Sequence, residues 1–178
     1  RVPNDEALVY YKNRFNTFKV KHEGIQEVFG KKVLPFEESD GQRYQLVSDT
    51  GNVGMLPGIP WENSSVPNKY GIYGLGPVEI SISYFDEFMD NIINLFDFKL
   101  IDRNKNIALL EIGEGGNGAQ IILREEKEKN TAKQGAGEVH HLALRVDDRD
   151  ALKEWVTIYD ELKLKNSGFI ERHYFGAA

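Results

Sequence analysis

The sequence predicts an α+β protein assembled from a repeated unit of one strand, one helix and further strands. Three observations carry this. Adding 64 to the residue number maps Val78, Ile80 and Ile82 onto Leu142, Leu144 and Val146, and Phe88, Ile92, Leu95 and Phe98 onto Leu152, Val156, Tyr159 and Leu162; strand and helix recur together. Apolar and polar residues alternate in the candidate strands, as expected where a sheet has one covered face. Between the candidate units, Thr50 to Tyr73 has no periodicity and collects Gly51, Gly54, Pro57, Gly58, Pro60, Pro67 and Gly71, which marks a connector.

Taken in order, residues 4–18 place Leu8, Tyr11, Phe15 and Phe18 at helical spacing, with Asn4 or Asp5 as N-cap after Pro3. Arg1 to Pro3 reads as the tail of a strand entering that helix. Asp40-Gly41 precedes an alternating run to Val47, a hairpin signal. Val78 to Ser83 alternates as a strand, and the helix behind it begins near Asp86, a candidate cap. Ala108 to Ile112 and Ala119 to Leu123 are short strands around the glycines of 113–118. Those glycines are read as a hairpin turn, because a phosphate cradle needs a helix after them and Ala119 to Leu123 is strand-like. Arg124 to Lys133 is a mixed-charge loop, Val139 to Val146 a strand, Asp148 to Leu162 a helix with Asp147 and Asp148 as cap residues, and Phe169 to Phe175 another strand. The organisation expected is a partial module over 1–49, a connector over 50–73, a module over 74–133 and the first part of another over 134–178. The missing initial Met and the abrupt end suggest part of a longer protein.

Composition narrows the function. With 22 Lys+Arg against 28 Asp+Glu the formal charge is −6, which argues against nucleic-acid or anionic-membrane partners. The chain has no cysteine. Disulfide frameworks, thiolate metal sites and cysteine nucleophiles are thereby excluded, and a reducing, cytoplasmic setting fits. No apolar run approaches a membrane span and no signal peptide is visible, so a soluble protein is expected.

His140-His141 is the pair with chemical interest. Strand alternation sends the two to opposite faces, with His141 beside Ala143 and Arg145 on the polar, concave face and His140 beside Leu142 and Leu144. A solvated strand-end histidine is the plain alternative. His22 and His173 carry no such pattern.

The Val139 to Val146 segment, Gln134 to Gly137 before it, Glu154-Trp155 on the next helix and Ile170 to Phe175 together resemble the vicinal oxygen chelate superfamily of glyoxalases, bleomycin-resistance proteins and extradiol dioxygenases. Within it they resemble bacterial ring-cleaving dioxygenases of the hydroquinone type. The resemblance implies repeated βαβββ modules forming curled mixed sheets, incomplete here at both ends. It also implies a metal-dependent enzyme that opens a hydroquinone- or catechol-type ring with dioxygen, acting on a small aromatic substrate, with a homodimer as the expected assembly. The metal would be Fe(II) or Mn(II), held by two histidines and a glutamate in a facial triad with open positions. Only the fourth-module histidine of that triad falls in this sequence, as His141. His140 and Arg172 would lie beside the metal, moving protons or stabilising anionic oxygen; a salt-bridging Arg172 and a packed His140 are the alternatives. The 178 residues alone would then hold no metal tightly and cleave no ring. A glyoxalase-type isomerase or lyase, or a ligand-binding protein without metal, are the rival functions.

The internal copies bear on that assignment. Subtracting 64 from His141 gives Pro77, and the carboxylate position, four residues after a turn glycine, holds Gln45 after Gly41 and Ile122 after Gly118. These copies have lost their ligands, consistent with one metal site formed by the first and fourth modules.

Overall fold

The computed structural model describes residues 1–127, 133 and 135–177. The chain divides into two compact units, Arg1–Glu138 and Val139–Ala178, and each is described by itself.

The first unit opens with helix α1, Asp5–Phe18, capped by Asn4, whose side-chain oxygen accepts from the Ala7 N–H at 3.0 Å. It ends at Lys19, in the left-handed region at φ 56. Strands β1 (Lys21–His22), β2 (Gln26–Val28), β3 (Lys31–Glu37) and β4 (Arg43–Val47) follow, with β3 pairing antiparallel to all three others. The β3–β4 reversal is the expected Asp40-Gly41 turn, where Gly41 takes φ 85. Val2 makes a single parallel bridge to Ser48, outside any strand. Helix α1 covers one face of this sheet. Ala7, Leu8 and Tyr11 pack there with Val2, Leu34 and Leu46, and each fully buried leucine contributes roughly 1.5–3 kcal/mol.

The same plan repeats complete in β5 (Val78–Ile82), α2 (Phe85–Phe96), β6 (Lys99–Asn104), β7 (Ile107–Glu111) and β8 (Gln120–Glu125), with sheet order β5-β8-β7-β6 and β5 parallel to β8. Phe85, Met89 and Ile92 of α2 pack with Phe98, Ala108, Leu110, Ile121 and Leu123. Asp86 is not the cap. Tyr84 holds that position without a side-chain bond, while Asp86 lies in the first turn and pairs with Arg103 at 2.7 Å. Residues 113–118 join antiparallel strands, as expected of a turn. β8 runs on through Arg124 and Glu125, which the sequence reads as loop. Arg124 is drawn into the sheet by pairing with Ser81 and Ile107 and by a 2.7 Å ion pair to Glu79. The rest of that predicted loop lies largely outside the described residues.

The connector is irregular apart from one 3-10 turn, Asn68–Tyr70. It is pinned where it crosses the 113–118 turn: Met55 N–H donates to Gly115 O at 2.9 Å, and a Cβ on Gly54 would stand 2.4 Å from that same oxygen. Only glycine allows this approach, and Gly54 also has φ +107.

A buried ion pair ties both modules to the connector. Arg1 and Asp49 pair at 2.8 Å with side chains 2% and 6% exposed. Asn117 from the glycine turn donates to Asp49 Oδ1 at 2.7 Å and to Ser48 O at 3.1 Å, and the Tyr73 hydroxyl donates to Asp49 Oδ2 at 2.8 Å. Burial alone would raise the Asp49 pKa, but the hydrogen bonds from Arg1, Asn117 and Tyr73 outweigh it and hold the carboxyl below its ordinary value. Burial and the bond to Asp49 push the Tyr73 hydroxyl up.

In the second unit, helix α3 (Arg149–Glu161) is capped by Asp148, which accepts from the Asp150 and Ala151 N–H groups at 3.0 and 2.8 Å. Two strands differ from expectation. Residues 139–146 form no strand. In the complete module the first strand pairs only with the last, β5 with β8, and among the described residues no strand pairs with 139–146. Phe169 to Phe175 is a tight hairpin, β9 (Ile170–Glu171) with β10 (Gly176–Ala177), closed by Arg172 N–H to Phe175 O at 2.8 Å. Folding back gives the segment the neighbour a single strand would lack. Among the described residues no helix is long and apolar enough to cross a membrane.

Two outcomes test this packing. Leu8→Ala and Leu110→Ala each lower stability by about 2–5 kcal/mol in urea titrations, and their effects add within about 0.5 kcal/mol because the two clusters share no residue. Because the folded pKa of Asp49 lies below its unfolded value, its contribution is present above about pH 4 and is lost as pH falls through the folded value. Asp49→Asn therefore flattens the acid limb of stability against pH. At neutral pH it costs about 3–5 kcal/mol, since Arg1 is left buried without its partner.

Candidate functional site

Each sheet of the first unit has a second face, turned away from its helix. Val33 and Val47 alternate with Leu34 and Leu46, and Leu109 and Ile122 with Leu110 and Leu123; all are buried. These second faces meet. Val33, Val47, Leu109 and Ile122 line one cavity with Phe29, Lys31, Gln45, Pro77 and Gln120, and only about 10 Å³ remains inside, room for one water. Gln45, Pro77 and Ile122, which the repeat equates with ligand positions, thus converge on a single place. An amide, a pyrrolidine ring and an alkyl group offer no imidazole or carboxylate there, so this cup is a packing interface.

Lys31 is the charge at its rim. Its ammonium donates to Asn117 Oδ1 and, at 3.5 Å, to Gln120 Oε1, while Gln120 donates to Glu111 Oε2 at 3.2 Å. Burial lowers the Lys31 pKa, and Asp49 and Glu111 partly offset the effect. Sequence reading missed Lys31, Glu111 and Asn117. No local pattern marks them, because each acts through partners in other elements.

His140, His141 and Arg172 all fall in the second unit. The Nδ1 atoms of His140 and His141 lie 2.8 Å apart with the rings perpendicular, so one ring donates to the other. Both Nε2 atoms stay outside that contact. The expected concave face for His141, Ala143 and Arg145 is absent, because 139–146 has no strand partner to make a sheet; Leu142 and Leu144 are exposed as well, not covered by a helix. Arg172 starts the hairpin reversal and is exposed. The ion pair on that hairpin belongs to its neighbour Glu171, with Arg149. The structure brings the two histidines together and sets no contact between them and Arg172. Among the described residues no three His, Asp or Glu side chains gather as metal ligands would. The donors here are two imidazoles, which fit part of a facial triad and not a whole one.

No family model matches the chain. It is 37% identical over 99% of its length to MhqA of Bacillus subtilis (strain 168), provisionally named a ring-cleaving dioxygenase, and covers 57% of that protein. It is 27% identical over 84% of its length to the chlorohydroquinone/hydroquinone 1,2-dioxygenase of Sphingobium indicum, covering 49% of it. The chain thus spans about half the length of these relatives. A crystal structure of a provisionally assigned dioxygenase from Bacillus subtilis subsp. subtilis str. 168 superposes with a TM-score of 0.84 at 21% identity, over 98% of this chain and 54% of that one. One complete βαβββ module and these matches along the whole chain fit a vicinal oxygen chelate fold.

Proposed function

We propose that this chain is part of a metal-dependent dioxygenase that opens a hydroquinone- or catechol-type ring. The observation that carries the proposal is the 37% identity to MhqA over 99% of the chain. The hydroquinone dioxygenase of Sphingobium indicum, similar over 84% of the chain, favours a hydroquinone as substrate. His141 serves as one metal ligand through Nε2, the nitrogen left outside its contact with His140. The other two donors, a histidine and a glutamate, come from outside these 178 residues, as the greater length of the relatives allows. An Fe(II) or Mn(II) ion held by these residues would supply the chemistry that lets dioxygen react with the substrate. His140, hydrogen-bonded to His141, fixes the orientation of that ring and can pass a proton at Nδ1. Arg172 presents an exposed guanidinium suited to an anionic oxygen of the substrate. The cysteine-free composition favours a cytoplasmic location.

In the longer protein carrying these residues, His141→Ala is expected to lose its bound metal by elemental analysis and at least about 100-fold of hydroquinone-dependent oxygen consumption. His140→Ala is expected to keep the metal while its pH–rate profile shifts. Retention of metal and activity by His141→Ala refutes the ligand assignment. Isomerisation of a 2-oxoaldehyde–thiol adduct without oxygen uptake places the protein among the glyoxalase-type enzymes instead.

A further inference from the structure

Asn117-Gly118 is the one Asn-Gly step in the chain, and it lies where the two sheets of the first unit close on each other. Asn117 is wholly buried. Both ends of its amide are engaged: Oδ1 accepts from Lys31, while Nδ2 donates to Ser48 O at 3.1 Å and to Asp49 Oδ1 at 2.7 Å. Its backbone N–H donates to Asn52 Oδ1, also at 2.7 Å. Gly118 is equally constrained. A Cβ there would stand 2.6 Å from Arg1 Nη1, and that guanidinium is itself held by Asp49 and by Met55 O. The asparagine thus serves through its hydrogen bonds and the glycine through its size. Packing requires a dipeptide that is chemically labile, because glycine leaves its own nitrogen unshielded beside the asparagine side chain.

The reaction open to such a step is intramolecular. Gly118 N attacks Asn117 Cγ, an N–Cγ bond forms, the Cγ–Nδ2 bond breaks, and Nδ2 leaves as ammonia with the proton from Gly118. Water then adds to the five-membered imide and opens either of its ring C–N bonds, leaving aspartate or isoaspartate; nothing is oxidised or reduced. The attack needs the side-chain carbonyl turned toward the Gly118 nitrogen. In the closed unit that turn would break the contacts to Lys31, Ser48 and Asp49 together. Once the glycine turn leaves the first sheet, none of the three restrains it. The product does not fit back. One carboxylate oxygen can still accept from Lys31, but the other replaces Nδ2 and sets an acceptor against Ser48 O and a second buried negative charge against Asp49. We infer that Asn117 is a deamidation site which closure of the two sheets protects, and whose reaction makes the opening of that closure permanent. This does not depend on the ring-cleaving proposal.

Peptide mapping by mass spectrometry after incubation in mildly alkaline buffer reads the conversion of each asparagine. Conversion at Asn117 is expected to be at least about 100-fold slower in the native protein than in the urea-unfolded protein, whereas exposed Asn63, which precedes Ser64, converts at similar rates in both. Val33→Ala, which removes packing from the cup, is expected to speed conversion at Asn117 about tenfold. Asn117→Asp, the product written into the sequence, is expected to speed amide hydrogen exchange at Met55 and at position 117 at least about tenfold while α2 stays protected. Should Asn117→Asp fail to fold, the conversion rates decide alone. Equal conversion of Asn117 in native and unfolded protein, no response to Val33→Ala, or a folded Asn117→Asp protein with unchanged exchange at both amides overturns the inference.

Discussion

A parallel strand cannot be satisfied by its neighbour in sequence, and much of this molecule follows from that. In the complete module β5 waits for β8, with a helix and two antiparallel strands in between. The crossover lays α2 across one face of the sheet, which is why a single amphipathic helix suffices for the core of Phe85, Met89 and Leu123. Module one of this chain keeps a trace of the same link in the Val2–Ser48 bridge. Among the described residues of the second unit no strand pairs with Val139 to Val146, which stays irregular despite its alternating pattern.

One helix per sheet leaves the other face bare, and the fold has two ways to use it. Face-to-face closure is what the first unit shows. Pro77, Gln45 and Ile122 stand where ligands would converge, and Val33, Val47, Leu109 and Ile122 fill the space to nearly nothing. An imidazole or a carboxylate in those places would need room and water instead, so the residue types and the small volume belong together. Lys31 marks the rim of the closed cup, its ammonium held by Asn117 and Gln120.

The helices and most of the long strands were legible because periodicity and caps are local. Asn4 and Asp148 cap as their positions suggest. β6 was not legible: Lys99 to Asn104 is exposed along its whole length and so shows no alternation. Neither was the Arg1–Asp49–Asn117 network, whose members are separated by 48 and 68 positions and share no motif. Asp86 misled because an acidic residue suits both the cap and the first turn, and the choice fell to Arg103, 17 residues on. For the site, the residue types of His140 and His141 were visible, while the face they occupy depends on a strand pairing that local pattern cannot supply.

The reach of Asn117 to Ser48 and Asp49, across 69 and 68 positions, also sets a timetable for the nascent chain. Synthesis delivers β3 and β4 well before the glycine turn, at roughly 5–20 residues per second. For several seconds or more, Val33 and Val47 face water with no opposing sheet, and the Asp49 carboxylate lacks one of its three donors. The hazard of misassociation therefore peaks on the ribosome, between the emergence of Ser48 and that of Ile122, and it ends when the second sheet shuts the first.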